Sequence, residues 1–209
     1  MVLSKSSLSI LLSKLNQFDN PKVMFEQYST DPEIAGEILW FAYMQGDIKG
    51  KIIADFGCGP GIFGIGAALL LAKQVFFVDK DSNAIKICMK NIGLISDKLN
   101  KPSFKIIESD IDNFSQKVDV VLQNPPFGTK IKHHDRIFLK KAFEISDVVY
   151  SLHKITSNNF IEAFSKDSGF KLTHILPFKM NLKRSYDFHK KPKYAIDIAC
   201  YRIASKRFK

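Results

Sequence analysis

Short apolar runs alternate along the chain with longer segments of helical periodicity. The apolar runs predict strands at residues 51–55, 75–78, 104–108, 118–122, 148–152, 170–177 and 195–203, because buried strands of a parallel sheet are nearly continuous in hydrophobic residues. The segments between them predict helices at about 8–18, 31–45, 62–71, 81–91, 137–146 and 156–166. This alternation predicts an α/β fold, a doubly wound and mostly parallel sheet with helices on both faces.

Capping signals place two of the helix starts. Thr30 or Asp31 is the expected N-cap of the second helix, with Pro32 in its first turn, and Asp81 or Ser82 is the expected N-cap of the fourth. Short polar side chains at these positions satisfy the free N–H groups of the first helical turn.

The composition is that of an ordinary globular chain. Its 209 residues are 45% hydrophobic and 25% charged, which excludes low-complexity disorder, collagen and a disulfide scaffold. The length suits one domain. We expect a single domain over 1–209, with a helical N-terminal segment at 1–48 and a basic C-terminal hairpin at 170–209.

Cysteine usage and hydropathy predict the compartment. The three cysteines are far apart and form no CxxC pair, which excludes a zinc ribbon and a thioredoxin-type redox motif and predicts a reducing environment. His133, His134 and Asp135 have no further ligand at a suitable spacing, so the sequence predicts no metal site. The apolar stretch at 7–12 is short and is followed by Lys14, and the run at 62–72 is too short to cross a bilayer. The chain is therefore expected to be cytoplasmic, without a signal peptide or a membrane-spanning segment.

Positive charge is concentrated at the C-terminal end. Residues 171–209 hold eleven Lys or Arg against two acids, which is +9 of the chain's net charge of +10. A basic segment beside a nearly neutral body favours a polyanionic partner, most often a nucleic acid. A solvated basic end without a partner explains the charge alone equally well.

Residues 55–61, with the sequence DFGCGPG, lie between a predicted strand and a predicted helix. Glycines allow a sharp turn and a close approach of the backbone to a ligand. The spacing is G-x-G-x-G, not that of the dinucleotide fingerprint, and no Gly-Lys-Ser/Thr follows as in a P-loop. The segment therefore predicts a cofactor loop, and the alternative is a simple tight turn.

Three acids stand where consecutive strands end. Asp79 is placed to accept hydrogen bonds from a ribose, although it could instead cap the next helix. Asp55 could accept from a cofactor ammonium or orient the glycine loop, and Asp110 could reach an adenine edge or be an exposed turn residue. Together the acids and the loop predict a nucleoside cofactor that carries a positive group.

This pattern resembles the class I S-adenosylmethionine-dependent methyltransferases. The resemblance implies a seven-stranded sheet with an antiparallel last strand and S-adenosyl-L-methionine as cofactor. The positions that it implies for cofactor binding are Asp55, Gly57, Cys58, Gly59, Gly61, Asp79, Asp110 and Asn124.

A second motif, Asn124-Pro125-Pro126-Phe127, follows the fourth strand. In methyltransferases it looks like the signature of planar-nitrogen methylation. An exocyclic amine shares its lone pair with the ring, so acceptors such as Asn124 Oδ1 and the Pro125 carbonyl would hold it in line with the methyl group. Pro126 stiffens the loop, and Phe127 would stack on the base.

Four motifs together resemble the methyltransferase-like N6-adenosine methyltransferases of small-subunit ribosomal RNA. They are EQYST at 26–30, NPPFGTK at 124–130, VYSLHK at 149–154 and SYDFHKK at 185–191, and the match covers about residues 8–204. Ser29 departs from the proline usual in the first motif.

The resemblance implies roles for residues outside the cofactor loop. Gln27, Tyr28 and Thr30 would cover the cofactor, although a capped helix start is an equal alternative. The residues implied for substrate binding are Lys130, His153, Lys183, Arg184, Phe188, His189, Lys190 and Lys191. His153 could equally be a structural residue after a buried strand, and the hairpin aromatics could face the core.

The resemblance also implies two partners, which are ribosomal RNA and a small zinc-binding activator protein. The activator would dock on the predicted edge strand 104–108, through Phe104, Ile106 and Ile107. The alternatives to adenosine N6 in ribosomal RNA are DNA adenine N6, guanine N2, protein glutamine, or a non-catalytic RNA-binding module.

Overall fold

The computed structural model describes residues 3–18, 30–98, 103–126, 134–183 and 193–206. Its helices are α1 (Lys5–Leu12), α2 (Pro32–Met44), α3 (Ile62–Leu69), α4 (Ser82–Leu94), α5 (His134–Ile145) and α6 (Asn158–Asp167). Its strands are β1 (Ile52–Phe56), β2 (Gln74–Asp79), β3 (Ser103–Glu108), β4 (Val120–Gln123), β5 (Val148–Lys154), β6 (Phe170–Lys183) and β7 (Lys193–Ser205). Short 3₁₀ turns follow at Ser96–Lys98, Ile111–Asn113 and Ile155–Ser157.

The seven strands form one sheet in the order β3-β2-β1-β4-β5-β7-β6. β3, β2, β1, β4 and β5 pair in parallel, and β7 runs antiparallel to both of its neighbours. The predicted doubly wound sheet with an antiparallel last strand is confirmed. The order reverses between β1 and β4, and ligands of such folds bind outside the carboxyl ends of the strands at this point.

Most predicted elements are confirmed with shifted ends, and α1 differs most. The helix begins at Lys5 because Ser4 accepts the Ser7 N–H, and it ends at Leu12 and not at residue 18. The Ser13 hydroxyl donates to the Ile10 carbonyl beyond that end. Residues 13–18 are therefore free to turn toward the carboxyl edge of the sheet.

The N-cap alternatives are also resolved. The Asp31 carboxylate accepts the N–H groups of Glu33 and Ile34, so Asp31 and not Thr30 caps α2. The Asp81 side chain accepts the Asn83 N–H and caps α4.

Two apolar layers cover the faces of the sheet. α1, α2, α3 and α4 pack on one face and bury residues such as Leu39, Ile65 and Phe77. α5 and α6 pack on the other face, around Phe56, Leu139 and Tyr201. The side chains of each strand alternate between the layers, which leaves the strand ends to carry the polar site.

One ion pair is buried between α2 and the antiparallel side of the sheet. Arg202 Nε donates to Asp47 Oδ2 at 2.8 Å and its Nη1 donates to Thr173 Oγ1 at 2.9 Å. The Tyr150 hydroxyl donates to the same Asp47 oxygen at 2.5 Å. Burial and the carboxylate beside it raise the pKa of Tyr150 well above its usual value. The network ties β5, β6 and β7 to the end of α2.

Among the described residues no helix is long and apolar enough to span a membrane.

Candidate active site

The glycine loop between β1 and α3 turns through three left-handed residues. Gly57, Gly59 and Gly61 have φ of 62°, 52° and 91°, which side chains with a Cβ rarely adopt. A Cβ on Gly57 would lie 3.2 Å from the Phe138 ring, and one on Gly59 would lie 3.2 Å from the Phe18 ring. The loop therefore lies between two aromatic rings and exposes its backbone to the cavity.

The cavity opens at the carboxyl ends of β1 to β4, as the strand reversal predicts. The glycine loop forms one wall, and the residues after β2 and β3 form another. The predicted site residues on its lining are Thr30, Asp55, Gly57, Cys58, Gly59, Asp79, Asp110, Asn124 and Pro126. The structure thus brings both motifs to one cavity. Gly61 is not on the lining. It packs against Cys88, since a Cβ at Gly61 would lie 2.6 Å from Cys88 Sγ.

Asp55 is 1% exposed at the end of β1. Its Oδ2 accepts the Gly64 N–H at 2.8 Å, so the carboxyl group does orient the start of α3. Burial, opposed by this hydrogen bond, raises the pKa of Asp55 to about 8. A buried carboxyl group with one side on a cavity is stabilised in its charged form by a cation.

Asp79 ends β2 and holds the loop in place. Its Oδ2 accepts the Gly59 N–H at 2.8 Å and its Oδ1 accepts the Asp81 N–H at 2.9 Å. Burial raises the pKa of Asp79 despite these hydrogen bonds. Asp81 is the N-cap of α4, so Asp79 is not needed in the capping role that was its alternative. Each carboxylate oxygen keeps further lone pairs for a ligand hydroxyl.

Asp110 follows β3 and lies on the cavity wall that the residues after β2 and β3 form. Its Oδ1 accepts the Asp112 N–H at 3.2 Å, and its Oδ2 lies 3.9 Å from Lys80 Nζ. Ile111, which is 5% exposed, lines the cavity beside it. An apolar surface next to a carboxylate suits a purine ring with an amino group.

Asn124 lies directly after β4. Its Nδ2 donates to Thr30 Oγ1 at 3.0 Å, whereas its Oδ1 is buried and has no hydrogen-bond partner among the residues that the structure describes. Pro125 is buried and Pro126 lines the cavity. An unpaired buried acceptor is costly. Gln123, Asn158 and Tyr201 also hold such buried atoms, but of the four residues Asn124 is the one on the cavity lining, where a bound ligand can supply the donor.

His153 lies inside the sheet and does not line this cavity. It is 2% exposed, and Nε2 lies 2.6 Å from Ser151 Oγ, which in turn accepts from Gln123 Nε2. Burial lowers the pKa of His153 to about 3, so the ring is neutral. The structure gives His153 the structural environment that was its alternative, and its contact with substrate stays a prediction.

Several predicted positions lie outside the described residues: Gln27, Tyr28, Phe127, Lys130, Arg184, Phe188, His189, Lys190 and Lys191. Lys183 is the last residue of β6. Among the described residues no three His, Cys, Asp or Glu side chains cluster as metal ligands.

Residues 16–18 reach the cavity through a contact that the sequence does not signal. Asn91, fully buried on α4, donates to the carbonyls of Asn16 and Pro60 at 3.0 and 2.9 Å, and its Oδ1 accepts the Asn16 N–H at 2.8 Å. These hydrogen bonds hold the segment so that Phe18 lies next to Gly59. No local pattern signals such a contact, since the partners are 75 positions apart. Phe138, in the first turns of α5, was also missed.

The cavity lining combines the carboxyl groups of Asp55, Asp79, Asp81 and Asp110 with an exposed glycine backbone, an apolar patch and the Asn124 amide oxygen. The acids favour a ligand with positive charge, and the apolar patch favours a ring. These features fit a cationic nucleoside cofactor beside a substrate that donates an N–H.

Comparison with known proteins agrees with this interpretation. Residues 18–145 match the methyltransferase small domain family. Over 198 residues the chain is 34% identical to the rRNA N(6)-adenosine-methyltransferase METTL5 of Danio rerio, covering 91% of this chain and 94% of that protein. It is also 34% identical, over 215 residues, to an uncharacterized protein of Methanocaldococcus jannaschii, covering 99% and 97% of the two chains.

A solved structure is similar over almost the whole chain. It is a protein of Pyrococcus horikoshii described as a candidate RNA methyltransferase, which is 45% identical, with a TM-score of 0.89 and coverage of 98% of this chain and 99% of that one. The chain therefore belongs to the methyltransferase small domain family and is an S-adenosylmethionine-dependent methyltransferase.

Proposed function

We propose that this enzyme methylates N6 of an adenosine in small-subunit ribosomal RNA. The observation that carries the proposal is the buried Oδ1 of Asn124, which has no partner in the described part of the chain and belongs to a residue on the wall of the cofactor cavity. The name of the Danio rerio relative, an rRNA N(6)-adenosine-methyltransferase, supports the choice of RNA and of the N6 atom.

S-adenosyl-L-methionine supplies an electrophilic methyl group when it is bound. Asp79 would accept from the ribose hydroxyls, Asp110 would accept from the adenine amine, and Asp55 would accept from the ammonium group. The glycine loop would approach the methionine part, because its residues 57 and 59 carry no side chain on the cavity side. Phe138 and Phe18 lie beside that loop, next to Gly57 and Gly59.

Asn124 Oδ1 and the Pro125 carbonyl would each accept one N–H of the target amine. Two acceptors hold the nitrogen in one orientation and favour tetrahedral character as the methyl group is transferred. The amine needs no base before attack, since its proton leaves after the nitrogen has become positively charged. Phe127 would stack on the target base, which must be unpaired or flipped because N6 is hidden in a helix.

The β6–β7 hairpin is suited to binding RNA near this site. β5 ends at Lys154, which pairs with Ile198, while β6 and β7 remain paired as far as Lys183 and Lys193. The hairpin therefore projects beyond the end of β5, at the edge where the cavity opens. The predicted phosphate and base contacts are Lys183, Arg184, Phe188, His189, Lys190 and Lys191, with Lys130 and His153 proposed nearer the base.

The other edge of the sheet suits a protein partner. β3 is an edge strand among the described strands, and its Phe104 and Ile106 are partly buried. Met89 and Leu94, on the adjacent α4, are 55% and 58% exposed. An unpaired strand beside exposed apolar side chains favours strand addition. We infer that a small zinc-binding activator docks here, and that the enzyme works in the cytoplasm, where its free cysteines stay reduced.

The substrate is tested by incubating the enzyme with methyl-labelled cofactor and separate samples of small-subunit RNA, large-subunit RNA, transfer RNA, duplex DNA and a release factor. We expect label in N6-methyladenosine from small-subunit RNA. Label in DNA or in protein glutamine would overturn the proposal in favour of another planar nitrogen. Cofactor binding without transfer, even with a candidate activator present, would favour a binding module.

RNA binding is tested separately with Lys190→Ala/Lys191→Ala. Neutralising two phosphate contacts should weaken RNA binding and reduce the slope of log K against log salt by about 2. Cofactor affinity should not change. Equal RNA affinity of the two proteins at all salt concentrations would remove the hairpin from the interface.

A further inference from the structure

Thr30 has a hydroxyl group that α2 does not use. The residue directly precedes the N-cap Asp31, and the Asp31 carboxylate alone accepts the free N–H groups of the first turn. Thr30 is nevertheless 5% exposed and lines the cavity. Its buried position needs another reason.

The Thr30 hydroxyl is bonded to the reactive end of the site. Its Oγ1 accepts from Asn124 Nδ2 at 3.0 Å, across 94 positions of sequence. In this arrangement one N–H of the amide is paired, and Asn124 Oδ1 has no partner within the described ranges. The amide therefore presents an acceptor, and not a donor, to the substrate side.

The orientation of this amide matters for an amine substrate. A target N–H needs an acceptor, and an amide rotated by 180° would present its own N–H₂ instead. Without an acceptor at Thr30, the productive orientation leaves a buried amide N–H unpaired, which is unfavourable.

We propose that Thr30 is a positioning residue for Asn124, because its hydroxyl accepts the amide N–H and leaves Oδ1 for the target amine. This inference rests on the proposed function, since it requires an N–H donor substrate. The role of Thr30 as a cover for the cofactor, which the family resemblance implied, stays a prediction. The hydrogen bond between Thr30 and Asn124 also gives the segment before α2 a direct link to the chemistry at the end of β4.

The test compares Thr30→Val, which keeps the shape and removes the acceptor, with Thr30→Ser, which keeps the hydroxyl. We expect Thr30→Val to lower kcat by about tenfold to a hundredfold, as for the loss of one buried hydrogen bond. The KM for the cofactor should stay unchanged, and Thr30→Ser should restore most of kcat. Thr173→Val is a matched control, because it also removes a hydroxyl acceptor, from Arg202, on another part of the sheet.

A second comparison separates positioning from folding. In an Asn124→Ala background the Thr30→Val change should have no further effect on kcat, because there is no amide left to orient. Additive losses, an increased cofactor KM with normal kcat, or normal kinetics of Thr30→Val would each overturn the inference. If the wild-type enzyme methylates none of the nucleic acids, the proposed function fails first, and this is seen before any variant is compared.

Discussion

The buried carboxyl group of Asp55 predicts that cofactor binding releases a proton. Burial raises the pKa of Asp55 to about 8, so at pH 7 the free enzyme holds this proton in about nine of ten molecules. An ammonium group beside Asp55 favours the ionised form and lowers that pKa again. Binding at pH 7 should therefore release about 0.9 proton.

The same linkage sets the pH dependence of the affinity. Ionised Asp55 is the form that binds a cation, so the cofactor Kd should fall by up to about tenfold for each pH unit between pH 5.5 and 7.5. Above that range the amino group of the cofactor itself loses its proton, near pH 8, and the gain ends.

Isothermal titration calorimetry in two buffers of different ionisation enthalpy measures the Kd and the proton count together. The control is Asp55→Asn, whose amide oxygen can still accept the Gly64 N–H. We expect the cofactor Kd of this variant to be at least about tenfold higher than that of the wild-type enzyme at pH 7.5. Its cofactor binding should release no proton, and its Kd should not depend on pH. A flat Kd without proton release in the wild-type enzyme would refute the reasoning. Equal pH dependence in both proteins would move the titration to another group, such as Asp79.

The stability of the protein gives three further predictions. The pKa of Asp55 in the folded protein lies above its usual 3.8, so the contribution of this group to the free energy of unfolding should be greatest below pH 3.8. It should fall by up to about 1.4 kcal/mol per pH unit as the pH rises toward 8. This pH dependence should be absent in Asp55→Asn. Arg202→Met should lower the free energy of unfolding in urea by about 3–5 kcal/mol, because Asp47 stays buried without its cation. Adding Asp47→Leu should recover most of this loss. No recovery in the double variant would contradict the argument. Gly64→Ala should lower the free energy of unfolding by about 1–3 kcal/mol, because its Cβ would lie 2.3 Å from the Phe77 ring. Gly93→Ala in α4, whose Cβ would have no atom within 4 Å, should raise it by about 0.5–1 kcal/mol. Equal effects of the two changes in thermal unfolding would contradict the packing argument.

Local sequence patterns were sufficient for the sheet and for its strand ends. β1, β2, β4 and β5 are buried on both faces, so their apolar runs mark them clearly. Acids at the strand ends then predict the cavity, because parallel strands place their carboxyl ends at one edge. The structure places Asp55, Asp79, Asp110 and Asn124 on the lining of one cavity.

Patterns failed where the stabilising contact is distant in sequence. The paired length of β6 beyond residue 177 was missed, because most of that part of the hairpin lies past the end of β5. The end of α1 and the place of Phe18 depend on Asn91, which is on another helix. The hydrogen bond between Thr30 and Asn124 is likewise invisible in either motif alone.

The most direct test of the account is a single-turnover methyl transfer by the wild-type enzyme and by Asn124→Ala, with small-subunit ribosomal RNA and methyl-labelled cofactor. The RNA is digested to nucleosides, and cofactor affinity is measured in parallel. We predict that the wild-type enzyme forms N6-methyladenosine and that Asn124→Ala forms it at least about a hundredfold more slowly, with nearly unchanged cofactor affinity. Label at another atom, or equal rates for the two proteins, would contradict the assignment of Asn124 Oδ1 as the acceptor of the target amine.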